Sequence, residues 1–294
     1  MIYYFVFYSD IALIEKAAIL KTALDKTEAL IIGAGAGLSA AAGLDYDNAD
    51  TFNTLFPGYH DRYGMKSINE ADFYQFPTPE EQYAWWVRNI ATIRYDYPPG
   101  KPYLDLHRIV KDKNHVILTT NTDGQFFKSG FDTEKICFPQ GDLSFFQCSK
   151  PCNDELYPNE QMVKELRSHI GNTDFAIPTA DIPRCPHCNS PLIPNVRRTK
   201  NFVEKPWLEK YQILNDFLAA NRGKKMLFLE LGVGFNTPGI IRYEFEFLFK
   251  IRKYAEMIRI NLNIVEITLL YKEDRASVIQ GDLGLILSKL AEEY

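Results

Sequence analysis

The chain has 294 residues, is 46% hydrophobic and 14% aromatic, and carries a net charge of −5. That length and apolar content suit one large α/β domain with a smaller inserted module. The negative balance, without any Lys/Arg run, excludes a nucleic-acid surface, and no apolar stretch approaches the roughly 18 residues that span a bilayer.

Residues 1–8 are apolar but few, lack a basic leader and soon meet Asp10 and Glu15, so they do not read as a signal peptide. Residues 1–9 are a loose edge segment or a start outside the fold. The expected compartment is the cytoplasm, where cysteines stay reduced and their pattern points to metal before disulfide. Leu13, Ala17, Leu20 and Leu24 recur at helical spacing, which predicts a packing helix over 11–24.

Leu30-Ile31-Ile32 is a short apolar run that predicts a buried strand ending at Gly33. Gly33, Gly35 and Gly37 then let the backbone turn where a Cβ would collide with a close ligand. Leu38 to Ala42 is small and helix-prone, so the free N–H groups of a new helix face whatever the glycines admit, most naturally a pyrophosphate. A tight strand-to-helix turn with close packing is the plainer alternative. A Walker loop is ruled out because no lysine lies between Leu30 and Tyr46. The dehydrogenase fingerprint is met only loosely, as Gly35-x-Gly37-x-x-Ala40.

Residues 47–102 interrupt the pattern with an aromatic, helical-looking insertion. Thr78-Pro79-Glu80-Glu81 is a helix start, with a capping hydroxyl, a first-turn proline and acids favoured by the dipole. Tyr83, Trp86, Val87 and Ile90 continue one face, read as core rather than as a stacking platform. His115 to Thr119 forms a second buried strand, and Thr120, Asn121 and Asp123 stand at its tip, where open α/β sheets bind ligands. Taken alone, Asn and Asp there are more often turn formers.

Cys148-x3-Cys152 and Cys185-Pro186-His187-Cys188 are two close pairs, suited to a closed tetrahedral zinc site. His187 is expected to be exposed rather than a ligand, and Cys137 to be a small core residue. Residues 225–231 predict a third strand followed by a glycine loop, Gly232 to Pro238. A fourth strand is predicted over 258–263, and residues 274–290 close the fold with a loop at Gly281-Asp282 and an amphipathic helix.

Together these pieces resemble a sirtuin. The family's Gly-Ala-Gly-x-Ser stands as Gly35-Ala36-Gly37-Leu38-Ser39, and its Thr-Gln-Asn-Ile-Asp as Thr119-Thr120-Asn121-Thr122-Asp123. The cysteine pairs, Pro194-Asn195-Val196, the Gly232 loop, Asn261 and Gly281-Asp282 follow in order. The departures are specific. The family's catalytic His-Gly is Gln140-Gly141, and Arg197-Arg198 follow Val196 where Phe-Gly-Glu would pair with an acyl-lysine peptide. Phe76-Pro77-Thr78-Pro79-Glu80-Glu81 and Glu230-Leu231-Gly232-Val233-Gly234-Phe235-Asn236-Thr237-Pro238 resemble one branch, the macrodomain-linked class M sirtuins.

The resemblance implies a Rossmann-like parallel sheet binding NAD (10–46, 103–147 and 205–294) with a smaller module made of a helical part (47–102) and a zinc-ribbon part (148–204). It implies NAD as substrate and structural zinc on Cys148, Cys152, Cys185 and Cys188. Gly35, Ala36, Gly37, Ser39, Thr120, Asn121, Gly232, Val233, Asn261 and Asp282 are the expected NAD contacts, with Asp45 approaching the ribose. Gln140 cannot serve as a base near neutral pH but can hold the ribose by hydrogen bonds. Asn121 is then expected to act in glycosidic-bond cleavage and Asp123 on the nicotinamide side. The expected reaction is NAD-dependent protein ADP-ribosyltransfer. The acceptor implied by the resemblance is a lipoylated, glycine-cleavage-H-like carrier, and the functional partner a macrodomain hydrolase. NAD-dependent deacylation and non-enzymatic NAD sensing are the alternatives.

Overall fold

The computed structural model describes residues 2–170, 174–198, 200–263 and 274–294, with side chains from Ile11 onward. Helix α1 (Ile2–Lys26) leads into β1 (Ala29–Ala34) and α2 (Ala36–Ala41). Four helices follow: α3 (Ala49–Leu55), α4 (Tyr59–Tyr63), α5 (Ile68–Asp72) and α6 (Pro79–Asn89), the last widening into a π-helical segment, Ile90–Asp96. Next come α7 (Lys101–Val110), β2 (His115–Thr119), α8 (Gln125–Lys128), β3 (Ile136–Cys137), β4 (Gly141–Cys148) and β5 (Tyr157–Pro158). The chain continues through α9 (Glu160–His169), β6 (Leu192–Val196), α10 (Lys205–Ala220), β7 (Met226–Leu231) and α11 (Arg242–Lys250). It ends with β8 (Ala255–Asn261), β9 (Ala276–Gln280) and α12 (Leu283–Ala291). Residues 2–9 are therefore helical in backbone, not a loose edge: they extend the predicted packing helix toward the N-terminus. Among the described residues no helix is long and apolar enough to cross a membrane.

Six strands form one sheet in the order β3-β2-β1-β7-β8-β9, every pair parallel. This is the Rossmann-like sheet the sequence predicts. Strands are added outward from β1 on one side and from β7 on the other, so the order reverses between β1 and β7. That reversal opens a crevice beyond the strands' carboxyl ends. Side-chain alternation sets the layers. Leu30, Ile32 and Ala34 of β1 enter a core shared with α1, α7 and α12, while Ala29 and Ile31 enter the opposite core with α10 and α11. Both faces being covered explains why β1 reads as a continuous apolar run.

A third core joins the helical insertion to the cysteine-bearing segment. Phe52, Phe56 and Tyr59 surround Trp85 at ring-centroid distances of 6.2, 4.8 and 5.1 Å, and the same core takes in Phe146, Cys148 and Cys185. Thr78 caps α6 as expected, accepting a hydrogen bond from the Glu81 N–H at 3.2 Å. Trp85, rather than the expected Trp86, is the fully buried indole, because neighbours cover both sides of α6 and Asp72 accepts its Nε1–H at 3.1 Å. A small antiparallel sheet, β5-β4-β6, carries Cys148 at the end of β4 and abuts this core.

The loops leaving β1 and β7 cross at the crevice. The Gly37 N–H donates to the Gly232 carbonyl at 2.8 Å, and the Gly35 N–H to the Leu231 carbonyl at 3.0 Å. A Cβ on Gly35 would stand 2.8 Å from the Gly232 oxygen, and one on Gly37 2.7 Å from the Gly232 Cα. Gly35 and Gly37 are thus required first by backbone meeting backbone, the close-packing alternative, and only then by any ligand. Gly232 is constrained twice, by its φ of +60° and by a Cβ position 2.5 Å from the Gly37 carbonyl carbon. Gly232→Ala is expected to cost about 2–5 kcal/mol through left-handed backbone strain and overpacking, read as a lower urea midpoint.

Candidate active site

The carboxyl end of β2 is tied to β1 before any functional group is placed. The Thr119 hydroxyl donates to the Ala34 carbonyl at 2.9 Å and accepts the Asn121 N–H at 3.1 Å. The Asn121 side-chain amide donates to the Gly35 carbonyl at 2.9 Å and to the Tyr103 hydroxyl at 3.0 Å. Both amide hydrogens are then committed, which leaves the side-chain oxygen as what Asn121 offers a ligand.

From Tyr103 the bonding continues in one direction. The Ser39 hydroxyl donates to Asp123 Oδ2 at 2.5 Å, so the proton on the 2.9 Å contact between Tyr103 and Ser39 comes from Tyr103. The backbone N–H of Gln125 donates to Asp123 Oδ1 at 3.0 Å. Ser39, Tyr103 and Asp123 are buried. Burial raises the Asp123 carboxyl above its ordinary value, opposed by the bonds from Ser39 and the Gln125 N–H. Burial, then the nearby Asp123 carboxylate, lifts the Tyr103 phenol well above its usual value, so it stays protonated.

Ala36, Thr120, Asn121, Asp123 and Gln140 line one cleft of about 470 Å³, a volume suited to a small-molecule ligand. Gln140 lines the cleft, and its Oε1 is buried with no hydrogen-bond partner, an acceptor left unsatisfied by the protein. No histidine lines the cleft among the described residues. The opposite wall includes Tyr46, which packs against the third core, and Asp72, Phe73 and Arg198, with Arg198 paired to Asp72 at 2.6 Å. The sequence offered one signal for that wall, the arginines standing where Phe-Gly-Glu was expected. Nothing marked Asp72, whose partner is 126 residues away.

None of the other expected NAD contacts is among the residues that line this cleft. Gly35, Gly37 and Gly232 make the crossing beside it, and Ser39 supports Asp123 from beneath. Asn261 donates to the Val233 carbonyl at 3.2 Å, and Arg242 to the same oxygen at 2.6 Å. Arg242 is held in turn by a buried cluster with Glu230, Arg259 and Glu246. Asp282 caps α12 by accepting the Leu285 N–H at 3.0 Å, and Asp45 accepts the Asp47 N–H at 3.1 Å in a turn. Neither Asp45 nor Asp282 is among the cleft-lining residues.

Within the helical part, a segment whose role the sequence did not reveal packs against the turn that follows Asp123. Arg94, in the π-helical stretch, pairs with Asp142 at 2.8 Å and fills the space a Cβ on Gly124 would need, 2.4 Å from its Cζ. Lys128 donates to the Ile93 and Tyr97 carbonyls at 3.0 and 2.7 Å, and burial pushes its ammonium down to about 8.

Away from the cleft, the sulfurs of Cys148, Cys152, Cys185 and Cys188 lie within 4.8 Å of one another. The Cys148–Cys188 and Cys152–Cys185 separations are both 3.5 Å. Zinc bound at about 2.3 Å in tetrahedral geometry spaces its sulfurs by roughly 3.8 Å, so this four-thiolate cluster fits a structural zinc ion. His187 lies outside it, exposed and 3.0 Å from Glu155. Cys137 is buried and hydrogen-bonded to the Lys210 carbonyl, and burial pushes its thiol up to about 11.

Metal analysis of the purified protein is expected to give about one zinc per chain, and Cys185→Ser to lose it together with thermal stability. The raised Asp123 carboxyl has a stability consequence of definite sign. The native form keeps this proton at pH values where the unfolded chain, near 3.8, has lost it, so stability falls as pH rises through the folded value. Asp123→Asn is therefore expected to melt above wild type at pH 7.5, with the difference shrinking toward pH 4 in a thermal-unfolding series.

No protein-family model matches the chain. A Staphylococcus aureus protein named "Protein ADP-ribosyltransferase" is 30% identical over 274 residues, which is 90% of this chain and 86% of that protein. A Fusarium oxysporum f. sp. cubense protein named "Probable bifunctional ADP-ribose hydrolase/ADP-ribosyltransferase" is 28% identical over 285 residues. That match takes in 92% of this chain but 46% of the fungal protein, so the chain spans less than half of it. Among solved structures, Sir2Tm bound to a propionylated peptide shares the fold with a TM-score of 0.58 at 16% identity, covering 94% of this chain and 97% of that one. A Sir2 homologue in complex with NAD gives a TM-score of 0.56 at 17% identity, covering 94% and 92%. With the parallel sheet, the four-cysteine cluster and the strand-tip residues in family order, the chain belongs to the sirtuin family.

Proposed function

We propose that the chain is an NAD-dependent protein ADP-ribosyltransferase. The carrying observation is Gln140: its amide stands in the cleft with a buried, unpartnered oxygen, where a deacylase of this family needs a titratable group. The amide accepts a hydrogen bond from a ribose hydroxyl but relays no proton at neutral pH. The two carboxylates of the cleft wall, Asp72 and Asp123, are already engaged by Arg198 and Ser39. What remains is a site that orients NAD and stabilises separating charge. The name of the staphylococcal relative supports the same reaction.

In this reading NAD lies across the crossing of the β1 and β7 loops, with the nicotinamide ribose between Asn121 and Gln140. The bond from ribose C1′ to the nicotinamide nitrogen breaks, and nicotinamide leaves with the bonding pair. The Asn121 oxygen stabilises the positive charge that develops on the ribose, and Asp123 stands on the nicotinamide side. A lone pair of the acceptor forms the new bond to C1′; a hydroxyl or thiol acceptor releases its proton to solvent, while a carboxylate has none to lose. Residues 10–46, 103–147 and 205–294 hold NAD, and 47–102 with 148–204 form the module that faces the acceptor.

The proposed acceptor is a lipoylated, glycine-cleavage-H-like carrier, and the proposed partner a macrodomain hydrolase that removes the modification. The class M strings support both, and the fungal relative's name, which joins an ADP-ribose hydrolase to a transferase, supports the second. The five cysteines, none in a disulfide, fit a reducing compartment, the cytoplasm.

Intact-mass analysis after incubation with NAD and lipoylated or unlipoylated carrier is expected to show one ADP-ribose on the lipoylated form alone. Asn121→Ala is expected to reduce transfer by about 10²–10³-fold, the scale of a lost charge-stabilising group. Gln140→Ala should reduce it roughly tenfold, the scale of one hydrogen bond. Deacylation of acyl-lysine peptides by the wild type, with no adduct on any carrier, would refute the reading.

A further inference from the structure

A helix laid on a sheet normally turns its apolar stripe inward and a polar face to water. Helix α11 buries Phe245, Leu248 and Phe249, yet its outer face is apolar as well: Tyr243, Phe247 and Ile251 are 54%, 59% and 61% exposed. They recur every four residues, so they stand in one line along the helix. Tyr254, 55% exposed beyond the helix end, prolongs the line. Leu104, Leu208 and Leu285 are exposed one to a helix, which is ordinary; a line of four marks an interaction surface. The line ends at a hollow of about 690 Å³, walled by buried Leu218, Met226 and Leu248 and by exposed Ile251 and Tyr254.

The charges on this face are segregated by end. Glu244 stands in the first turn of α11, while Lys250, Arg252 and Lys253 gather at its last turn and just beyond. The carbonyls at that end are already served, because Arg275 donates to the Arg252, Lys253 and Ala255 oxygens at 3.0, 3.4 and 2.7 Å. Arg252 is half-buried and donates to the Leu248 carbonyl at 3.1 Å. Among the described residues neither Arg252 nor Glu244 has an ion-pair partner within salt-bridge distance.

A second copy of this chain supplies what the face lacks when the two α11 helices run antiparallel. A two-fold axis at Phe247 sets that ring against its own copy and places Tyr243 of each chain at Ile251 of the other, beside the hollow. Glu244 and Arg252 lie on one flank of the line, and antiparallel helices bring like flanks together with their ends reversed. Each Glu244 thereby approaches the other chain's Arg252, and the two helix dipoles oppose each other favourably. A parallel pair would set Glu244 against Glu244 and the three cations against their copies.

We propose that α11 is the contact of a two-fold dimer, with Tyr243, Phe247 and Ile251 as its apolar line and Glu244 and Arg252 as its reciprocal ion pairs. The contact is independent of the transferase reading and uses no residue that lines the cleft. The nine residues of α11 span about 13 Å, so the interface falls at the small end of specific contacts and the dimer is expected to be micromolar.

Sedimentation velocity on the full chain tests the dimer, with a monomer-to-dimer shift expected between about 2 and about 200 µM. Phe247→Glu is expected to weaken dimerisation at least tenfold, with NAD affinity by calorimetry within threefold of wild type, which also reports that the variant folds. Glu244→Arg and Arg252→Glu should each weaken it at least threefold, and the two together should restore it to within twofold. Helices packed at about 8–10 Å bring facing Cα atoms into disulfide range, so Phe247→Cys is expected to cross-link to itself on mild oxidation. Tyr243→Cys should do so only when combined with Ile251→Cys. A monomer at every concentration, a dimer indifferent to Phe247→Glu, a charge swap no better than its single changes, or no cross-link through position 247 overturns the proposal.

Discussion

The fold depends on two backbone loops passing within hydrogen-bonding distance of each other at the reversal point of the sheet. Gly37 and Gly232 lie so close that neither tolerates a Cβ, and the bond between them closes the gap between β1 and β7. The sheet side of the candidate site is placed relative to that contact. Asn121 is anchored to the Gly35 carbonyl, one residue before the start of α2. The carbonyl of Val233, the residue after Gly232, is held by Asn261 and Arg242. A change of even one methyl group at the crossing therefore displaces strand tips from both halves of the sheet, rather than relaxing locally.

A second constraint is the direction of the buried hydrogen bonds. A chain that runs from the Asn121 amide through Tyr103 and Ser39 to Asp123 ends on an acceptor, so each hydroxyl has one orientation. Such a chain is costly to bury and useful once buried: the low dielectric that raises the Asp123 carboxyl also fixes the face that Asn121 turns to the ligand. The turn after Asp123 is packed by Arg94, which pairs with Asp142, and Lys128 caps the π-helical stretch that carries Arg94. The π-helical widening is the sort of local irregularity that accompanies functional positions, and here it delivers Arg94 to the turn after Asp123.

What was legible in the sequence was what is local in it. The glycine run, the polar residues at the tip of β2 and the two cysteine pairs each announce themselves within a few positions. The sheet, the caps and the metal cluster follow from such signals. The short strands β3 and β5 carry too few residues to show a period, and β9 lies in a segment read as loop, so these were not foreseen. The helical backbone of residues 2–9 was missed for a different reason, since an all-apolar start has no amphipathic face to read. The support of the site was hidden by distance along the chain: Ser39 is 84 residues from Asp123 and 64 from Tyr103, and Arg198 is 126 from Asp72. The same distance concealed why Gly35 and Gly37 are glycines, because the atoms that forbid a side chain belong to β7's loop.

The cleft lies where two separately cored parts of the molecule meet, and this division explains how one fold can change its chemistry. The sheet side supplies Ala36, Thr120, Asn121 and Asp123, all fixed by strand geometry and by the loop crossing. The opposite wall, with Asp72, Phe73 and Arg198, rests on a different hydrophobic core that includes Trp85 and the cysteine cluster. Residues on that wall can change without disturbing the sheet's hold on a dinucleotide. In the proposed reading, Gln140 in place of a titratable side chain leaves ribose binding available and removes proton relay. Arg197 and Arg198 stand where the family's Phe-Gly-Glu would pair with an acyl-lysine peptide, and Arg198 pairs with Asp72. In the proposed transferase reading the first change lies on the NAD side and the second on the acceptor side, so the chemistry would move from relaying a proton to an acyl oxygen toward placing an incoming nucleophile, on a sheet that need not change.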